Sequence, residues 1–107
     1  MSVIMTMRVQ GDPAKFEATA KEHADTLRQI LELAKSHDLI AHRFYGSDGE
    51  FMAIDEWPAP ENFQAFFGEA QEQIGPLMQS AGVTSPPDVT FWHKLETGDD
   101  VGWNASA

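Results

Sequence analysis

The sequence predicts an α+β domain with the element order β-α-β-β-α-β. Four segments show the alternation or the short apolar runs that are typical of β-strands. Two longer segments place apolar residues at the spacing of one helix face. Asp48-Gly49, between the middle two strands, is a strong signal for a β-hairpin turn. A chain of 107 residues has the size of one domain.

The first strand and the first helix come from the N-terminal third of the chain. Apolar residues alternate with mostly polar ones over residues 2–10, which predicts a strand. Asp12 and Pro13 then form the pattern of a helix N-cap and a first helical residue. Apolar residues recur at helical spacing at Phe16, Ala20, Ala24, Leu27, Ile30 or Leu31, and Ala34. We therefore expect one continuous helix from Pro13 to about His37.

Two short strands, residues 39–46 and 50–57, are expected to pair antiparallel across the Asp48-Gly49 turn. Pro58 and Pro60 end the second of these strands, since proline cannot donate to a sheet ladder. The middle of the chain is therefore a β-hairpin followed directly by a helix.

The second helix carries an apolar stripe at Phe63, Phe66, Phe67, Ala70 and Ile74. We expect Gly75-Pro76 to interrupt this helix, with a further short helical piece in residues 76–82. Residues 88–96 form the last predicted strand. The domain then spans residues 1–96, and residues 97–107 have the composition of a tail.

Composition and charge exclude several classes of function. The 17 acidic and 7 basic residues give a formal charge of −10, so nucleic acid and anionic membranes are not expected partners. The absence of cysteine excludes disulfides and thiolate ligands. The N-terminal segment lacks the basic region of a signal peptide, and we expect a cytoplasmic protein. Neither a metal cluster nor a phosphate-binding glycine loop is present in the pattern, so no metal and no cofactor are predicted.

This element order matches the split βαβ arrangement of the ferredoxin-like fold, with both helices on one face of the sheet. The predicted strands carry apolar or aromatic residues on both faces, for example Phe44 with Tyr45 and Phe91 with Trp92. A sheet face exposed to water is normally polar. We therefore expect a second copy of the chain to cover the other face, which gives a homodimer.

The strand-to-helix junction "DEWPAPENFQAFF", residues 55–67, together with the size and the hairpin, resembles the dimeric α/β-barrel superfamily. Within it the chain is most similar to antibiotic-biosynthesis-monooxygenase-like domains, over residues 3–95. The resemblance implies two ferredoxin-like subunits that pack sheet against sheet. It also implies a hydrophobic pocket for a small aromatic or polyketide-like ligand, and cofactor-free monooxygenase or isomerase chemistry.

The chain departs from two branches of this superfamily. Haem-degrading members resemble one another in a first-strand asparagine and a second-helix histidine, and neither is present at the corresponding segments here. The cofactor-free oxygenases hold a phenol with asparagine, tryptophan and tyrosine side chains, and no predicted strand contains asparagine. A non-catalytic ligand-binding or accessory protein is therefore the alternative function.

The candidate catalytic residues are His42, His93 and Asp55. Both histidines lie on predicted strands, and imidazole is suited to proton transfer near neutral pH. Asp55 and Glu56 are neighbours on a strand and must point to opposite faces, so they cannot form an acid/base pair together. A structural histidine, or an ion pair of the acids with Arg8 or Arg43, is the alternative interpretation.

The candidate substrate-binding residues are Trp57, Tyr45, Arg43 and Trp92. Tyr45 and Arg43 share a strand face and together offer a hydrogen bond and a charge to an oxyanion. The two tryptophans offer aromatic contact area. The alternative for each is packing in the core or at a subunit interface.

Overall fold

The structure, a computed structural model, describes residues 1–103. Its helices and strands, in chain order, are β1 Val3–Gln10, α1 Pro13–Glu22, α2 Ala24–Ser36, β2 Ala41–Ser47, β3 Glu50–Trp57, α3 Pro60–Ser80 and β4 Asp88–Trp92. The strands form one antiparallel sheet in the order β2-β3-β1-β4. The helices cover one face of this sheet. The predicted α+β, ferredoxin-like fold is therefore confirmed for the single chain.

The hairpin forms at the predicted turn. Ser47 pairs with Glu50, which leaves Asp48 and Gly49 as the turn residues. Gly49 adopts a φ of 73°, a conformation that glycine reaches without a steric penalty. Because this turn fixes the register, every later pair between β2 and β3 follows from it, including the pair of His42 with Asp55.

The first helical region is two helices, so the prediction of one continuous helix is wrong. Asp12 caps α1 as expected, because its carboxylate accepts a hydrogen bond from the Ala14 amide at 3.0 Å. His23 leaves the helical conformation, with φ −117° and ψ 39°, and separates α1 from α2. The break lets the two helices pack in different places. Phe16 of α1 joins one apolar cluster, and Ala34 of α2 joins the other.

The second helical region is one helix, so the predicted interruption at Gly75-Pro76 is also wrong. Pro76 lies inside α3 and is exposed. A proline removes one backbone hydrogen bond, whereas the buried stripe continues past it from Ala70 to Leu77. Packing of that stripe against the sheet therefore outweighs the local preference to end the helix.

The last strand is shorter than predicted. It ends at Trp92, which pairs with Ile4 of β1. Because β1 begins at Val3 and is the only strand that β4 contacts among the described residues, a strand as far as Glu96 has almost no partner residues. His93 therefore lies beyond the strand and is exposed.

The segment after β4 has no helix or strand as far as residue 103. Lys94 pairs with Asp100 at 2.8 Å and with Glu96 at 3.1 Å. Hydrogen bonds to these two carboxylates, that of Asp100 first, raise the pKa of Lys94. The domain boundary at Glu96 stays a prediction, and residues 104–107 of the predicted tail lie outside the described residues.

The core consists of two apolar clusters on the helix side of the sheet. The larger cluster joins β1 and β3 to α2 and α3, and its buried members are Met5, Met7, Ala34, Ala53, Trp57, Phe63, Phe66 and Ala70. The smaller one contains Phe16 and Phe51, whose rings stack with centroids 4.3 Å apart, with Val9 and Ala81. Aromatic pairs of this kind add to the stabilisation from burial.

The outer face of the sheet is mixed, contrary to the expected lack of polar residues. It carries an ion pair between Arg8 and Glu50 at 3.0 Å. Beside these polar groups lie the exposed apolar side chains of Ile4 and Trp92, which are paired across β1 and β4. Met52 and Ile54 of β3 also lie on this face and are half-buried.

Two glycines give opposite expectations for stability. Gly68 lies in α3, and a Cβ added there meets no atom within 4 Å. Gly68→Ala should therefore raise the free energy of unfolding by about 0.5–1 kcal/mol, because alanine favours the helix. A Cβ at Gly46 would lie 2.9 Å from the Pro13 side chain, so Gly46→Ala should lower stability. Urea unfolding followed by circular dichroism measures both changes. A lower stability of Gly68→Ala, or an unchanged stability of Gly46→Ala, would contradict the open space at Gly68 or the close contact at Gly46.

Candidate active site

A cavity of about 300 Å³ lies between the sheet and the helices. This volume is at the lower end of the range of small-molecule sites, ~300–1,000 Å³. The strands contribute Met5, Met7, His42, Phe44, Ala53 and Asp55 to its wall. From the helices come mainly apolar side chains, among them Leu27, Ile30, Leu31, Phe63, Phe66, Phe67 and Ile74. The cavity is therefore an apolar chamber that suits an aromatic or aliphatic ligand.

Three of the side chains that line the cavity are polar or charged: His42, Asp55 and Arg28. His42 and Asp55 are cross-strand partners in β2 and β3. Arg28 comes from α2, in the helix layer. Because so few polar groups line the chamber, these three determine which polar atoms a bound molecule can satisfy there.

His42, Asp55 and Trp57 form a chain of hydrogen bonds. His42 Nδ1 lies 2.6 Å from Asp55 Oδ1. Trp57 Nε1 donates to Asp55 Oδ2 at 3.1 Å. Both carboxylate oxygens therefore have a partner, and the described residues contain no buried side-chain N or O atom without one. This satisfies the requirement that a buried carboxylate be hydrogen-bonded.

The local structure explains why these three residues meet. Side chains two residues apart on a strand share a face, so Asp55 and Trp57 of β3 both point to the helix side. Glu56 points to the other face, as the alternation predicts. On that face the Glu56 carboxylate accepts a hydrogen bond from the Ser2 hydroxyl. Neither predicted arginine pair of the acids is formed, because Arg8 pairs with Glu50 and Arg43 donates to Tyr45.

The exposure of the three side chains differs in a way that matters for chemistry. Trp57 is 0% exposed and Asp55 is 6% exposed. The His42 side chain keeps 30% of its surface accessible. The carboxylate is therefore held inside the protein, whereas the imidazole is the member of the chain that a ligand can reach.

The arrangement has a clear chemical consequence for the imidazole. An ionised carboxylate only accepts hydrogen bonds, so with Asp55 ionised the hydrogen must be on His42 Nδ1. In the neutral ring this leaves a lone pair on Nε2. An acidic partner that fixes one ring nitrogen and frees the other is the arrangement by which histidine acts as a general base in many enzymes. The structure thus places a hydrogen-bonded imidazole of this kind at the cavity wall.

The other sequence-predicted residues lie elsewhere. His93 is exposed beyond the end of β4 and does not line the cavity. Tyr45 and Arg43 share a face, as predicted, but it is the outer face of the sheet, where Arg43 donates to the Tyr45 hydroxyl at 3.2 Å. Trp92 is also on that face and donates from Nε1 to Thr6 at 2.8 Å. Trp57 does not line the chamber, and it contacts the site through its hydrogen bond to Asp55.

Two features of the site are absent from the sequence predictions. The link between His42 and Asp55 could have been found, because a two-residue turn at Asp48-Gly49 places residue 42 opposite residue 55. Arg28 could not have been found in this way. Its place at the cavity depends on how α2 lies on the sheet, and the break at His23 that separates α2 from α1 was not predicted.

Within residues 1–103, no group of three or more histidine, cysteine or acidic side chains is placed to bind a metal ion. In the same part of the chain, no helix combines the length and the apolar character needed to cross a bilayer. The candidate active site is therefore defined by the side chains that line the cavity.

Comparison with known proteins gives matches among solved structures. No family model matches the sequence, and no curated protein matches it. A monooxygenase from the gene ActVA-Orf6 of Streptomyces coelicolor, solved with nanaomycin D, matches with a TM-score of 0.68 and 14% identity, over 90% of this chain and 89% of that one. SnoaB, a cofactor-independent oxygenase from Streptomyces nogalater, matches with a TM-score of 0.58 and 15% identity, over 92% and 98%.

A third structure, of an antibiotic biosynthesis monooxygenase, matches with a TM-score of 0.57 and 15% identity, over 90% of this chain and 100% of that one. At these identities the similarity concerns the fold. The resemblance drawn from the sequence is confirmed at that level: the chain has the fold of antibiotic biosynthesis monooxygenase domain proteins.

Proposed function

We propose that the protein is a cofactor-independent monooxygenase that oxidises a small phenolic substrate in the cavity, with His42 as the base. The observation that carries this proposal is the His42–Asp55 pair at the wall of an otherwise apolar chamber. A chamber that only stored an apolar molecule has no need of a hydrogen-bonded imidazole and carboxylate. The similarity in fold to oxygenases, one of them described as cofactor-independent, supports the same reaction class.

The proposed reaction needs no group beyond the substrate and oxygen. His42 takes the phenolic proton, and the phenolate supplies the electrons that reduce O2. One oxygen atom forms the new carbonyl of a quinone, and the other leaves as water with the two hydrogens that the phenol loses. For 1-naphthol this gives naphthoquinone and water, so atoms and electrons balance.

Each residue of the chain has a separate role in this proposal. His42 contacts the substrate hydroxyl through Nε2. Asp55 holds Nδ1–H and stabilises the imidazolium after proton transfer, as acidic partners of catalytic histidines do. Trp57 is a positioning residue, because its indole N–H fixes the second oxygen of Asp55. The wall around the pair is mainly apolar, and the lower local dielectric strengthens these electrostatic interactions.

We further propose that the protein is a homodimer through the outer face of the sheet. Ile4, Tyr45 and Trp92 are exposed apolar side chains on this face. Such a patch on an isolated domain is typical of an interaction site. A two-fold interface would place the same face of both copies together.

The first prediction concerns the base. With 1-naphthol as the probe, oxygen uptake and quinone absorbance give the turnover rate. His42→Gln should lower this rate by about 100-fold or more, which is in the range expected for the loss of a general base. The same substitution at His93, outside the cavity, should leave the rate unchanged. Circular dichroism controls for folding.

Two outcomes would contradict this proposal. Equal rates for His42→Gln and the unmodified protein would exclude His42 as the base. Saturable binding of 1-naphthol with no oxygen uptake would exclude the monooxygenase and support the alternative, a non-catalytic ligand-binding protein.

The second prediction concerns the dimer. Sedimentation at micromolar concentration should give about twice the chain mass of 11.9 kDa. Ile4→Lys introduces a charge beside Trp92 in the apolar patch and should give a folded monomer. Gln10→Lys, on the same face at the end of β1, should leave the dimer intact. A monomeric unmodified protein, or equal effects of both substitutions, would contradict this interface.

A further inference from the structure

The cavity carries information about the size of its ligand. An apolar cavity of ~150 Å³ in another protein stays dry and binds benzene. The chamber in this protein has about twice that volume, 300 Å³. Two fused rings therefore fill it, whereas a four-ring ligand exceeds this volume and must project through the open side of the chamber or displace the helices.

The third polar group at the cavity, Arg28, carries information about the charge of the ligand. It is the one arginine or lysine among the described residues that line the chamber. The chain as a whole has a formal charge of −10, so an anionic ligand is repelled unless a cation meets it locally. Arginine binds carboxylates with two parallel hydrogen bonds, which makes it the side chain best suited to that role.

Arg28 is available for such a contact. Its present partner is Asp25, one turn earlier on α2, at 2.5 Å. Both side chains of this pair are largely exposed, 67% and 84%. Exposed ion pairs contribute little to stability, so a ligand carboxylate that also buries apolar rings can replace Asp25.

The two polar contacts come from opposite layers of the fold. His42 belongs to the sheet, and Arg28 belongs to the helix layer above it. A ligand between the layers therefore has the imidazole on the sheet side and Arg28, whose side chain is 67% exposed, on the helix side where the chamber meets solvent. A hydroxyl at one end of the ring frame and a carboxylate at the other end match this arrangement.

We infer that the substrate is a hydroxyaromatic acid of about two fused rings, with its carboxylate bound by Arg28 and its hydroxyl at His42. This inference rests on the proposed function for the role of the hydroxyl. The size of the ligand and its charge rest on the cavity and on Arg28. Arg28 is then the residue that sets specificity for an acid over the corresponding neutral phenol.

Binding is tested with three probes by isothermal titration calorimetry. 6-Hydroxy-2-naphthoate carries both groups, 2-naphthol lacks the carboxylate, and 1-hydroxypyrene has four rings. The unmodified protein should bind the naphthoate about three- to fivefold more tightly than 2-naphthol, because one partly exposed charge-assisted pair is added. It should bind 1-hydroxypyrene more weakly than 2-naphthol, because part of the four-ring frame stays outside the chamber.

A matched pair of variants isolates the role of Arg28. Arg28→Gln should weaken naphthoate binding about three- to fivefold and leave 2-naphthol binding unchanged. Lys35→Gln is the control, because Lys35 lies on the same helix, also pairs with an acid three residues earlier, at 3.2 Å, and does not line the cavity. It removes the same charge and should leave both affinities unchanged. Circular dichroism confirms that the variants are folded.

The outcomes separate this inference from the proposed function. Equal affinity of the unmodified protein for the naphthoate and 2-naphthol, or equal losses in Arg28→Gln and Lys35→Gln, would overturn the role of Arg28 even if phenols are oxidised. Tight binding of 1-hydroxypyrene would overturn the size argument. Arg28-dependent naphthoate binding without any oxygen uptake would support this inference and contradict the monooxygenase.

Discussion

The buried carboxylate of Asp55 is the constraint on which the rest of the site depends. A carboxylate that is 6% exposed loses most of its hydration and needs hydrogen-bond donors from the protein. Trp57 supplies one donor from the same strand, and His42 supplies the other from the neighbouring strand. Removing either donor leaves a buried oxygen without a partner, which is costly. The hairpin register and the orientation of the imidazole are therefore coupled through this one group.

The same packing that forms the core also forms the chamber. Phe63 and Phe66 of α3 belong to the larger buried cluster and also line the cavity. Their rings pack against Trp57, with centroids 5.9 and 5.5 Å away. Trp57 in turn holds Asp55. Substitutions in this aromatic group are thus expected to affect both stability and the position of the His42–Asp55 pair. The chamber remains open on the side of β2, whose residues are exposed along the whole strand.

Sequence reasoning succeeded where local signals determine structure. Alternation predicts β1, the Asp48-Gly49 turn predicts the pairing of β2 with β3, and Asp12 predicts the start of α1. Sequence reasoning failed where packing between helices and sheet determines the bounds of an element. The break at His23 and the continuity of α3 through Pro76 depend on contacts with the sheet that no local pattern records.

For the site, two of the candidate residues, His42 and Asp55, lie together at the cavity. Tyr45, Arg43 and Trp92 lie on the other face, because the alternation alone does not say which face the helices cover.

We expect Asp55 to fix the tautomer of His42 and to leave Nε2 free at the cavity. Nitrogen-15 NMR of the imidazole rings tests it most directly, because the shifts of the two ring nitrogens identify the tautomer in the neutral form. Neutral His42 should carry its hydrogen on Nδ1, and Asp55→Asn should remove this preference. A hydrogen on Nε2 in the unmodified protein, or a tautomer unaffected by Asp55→Asn, would show that Asp55 does not orient the imidazole.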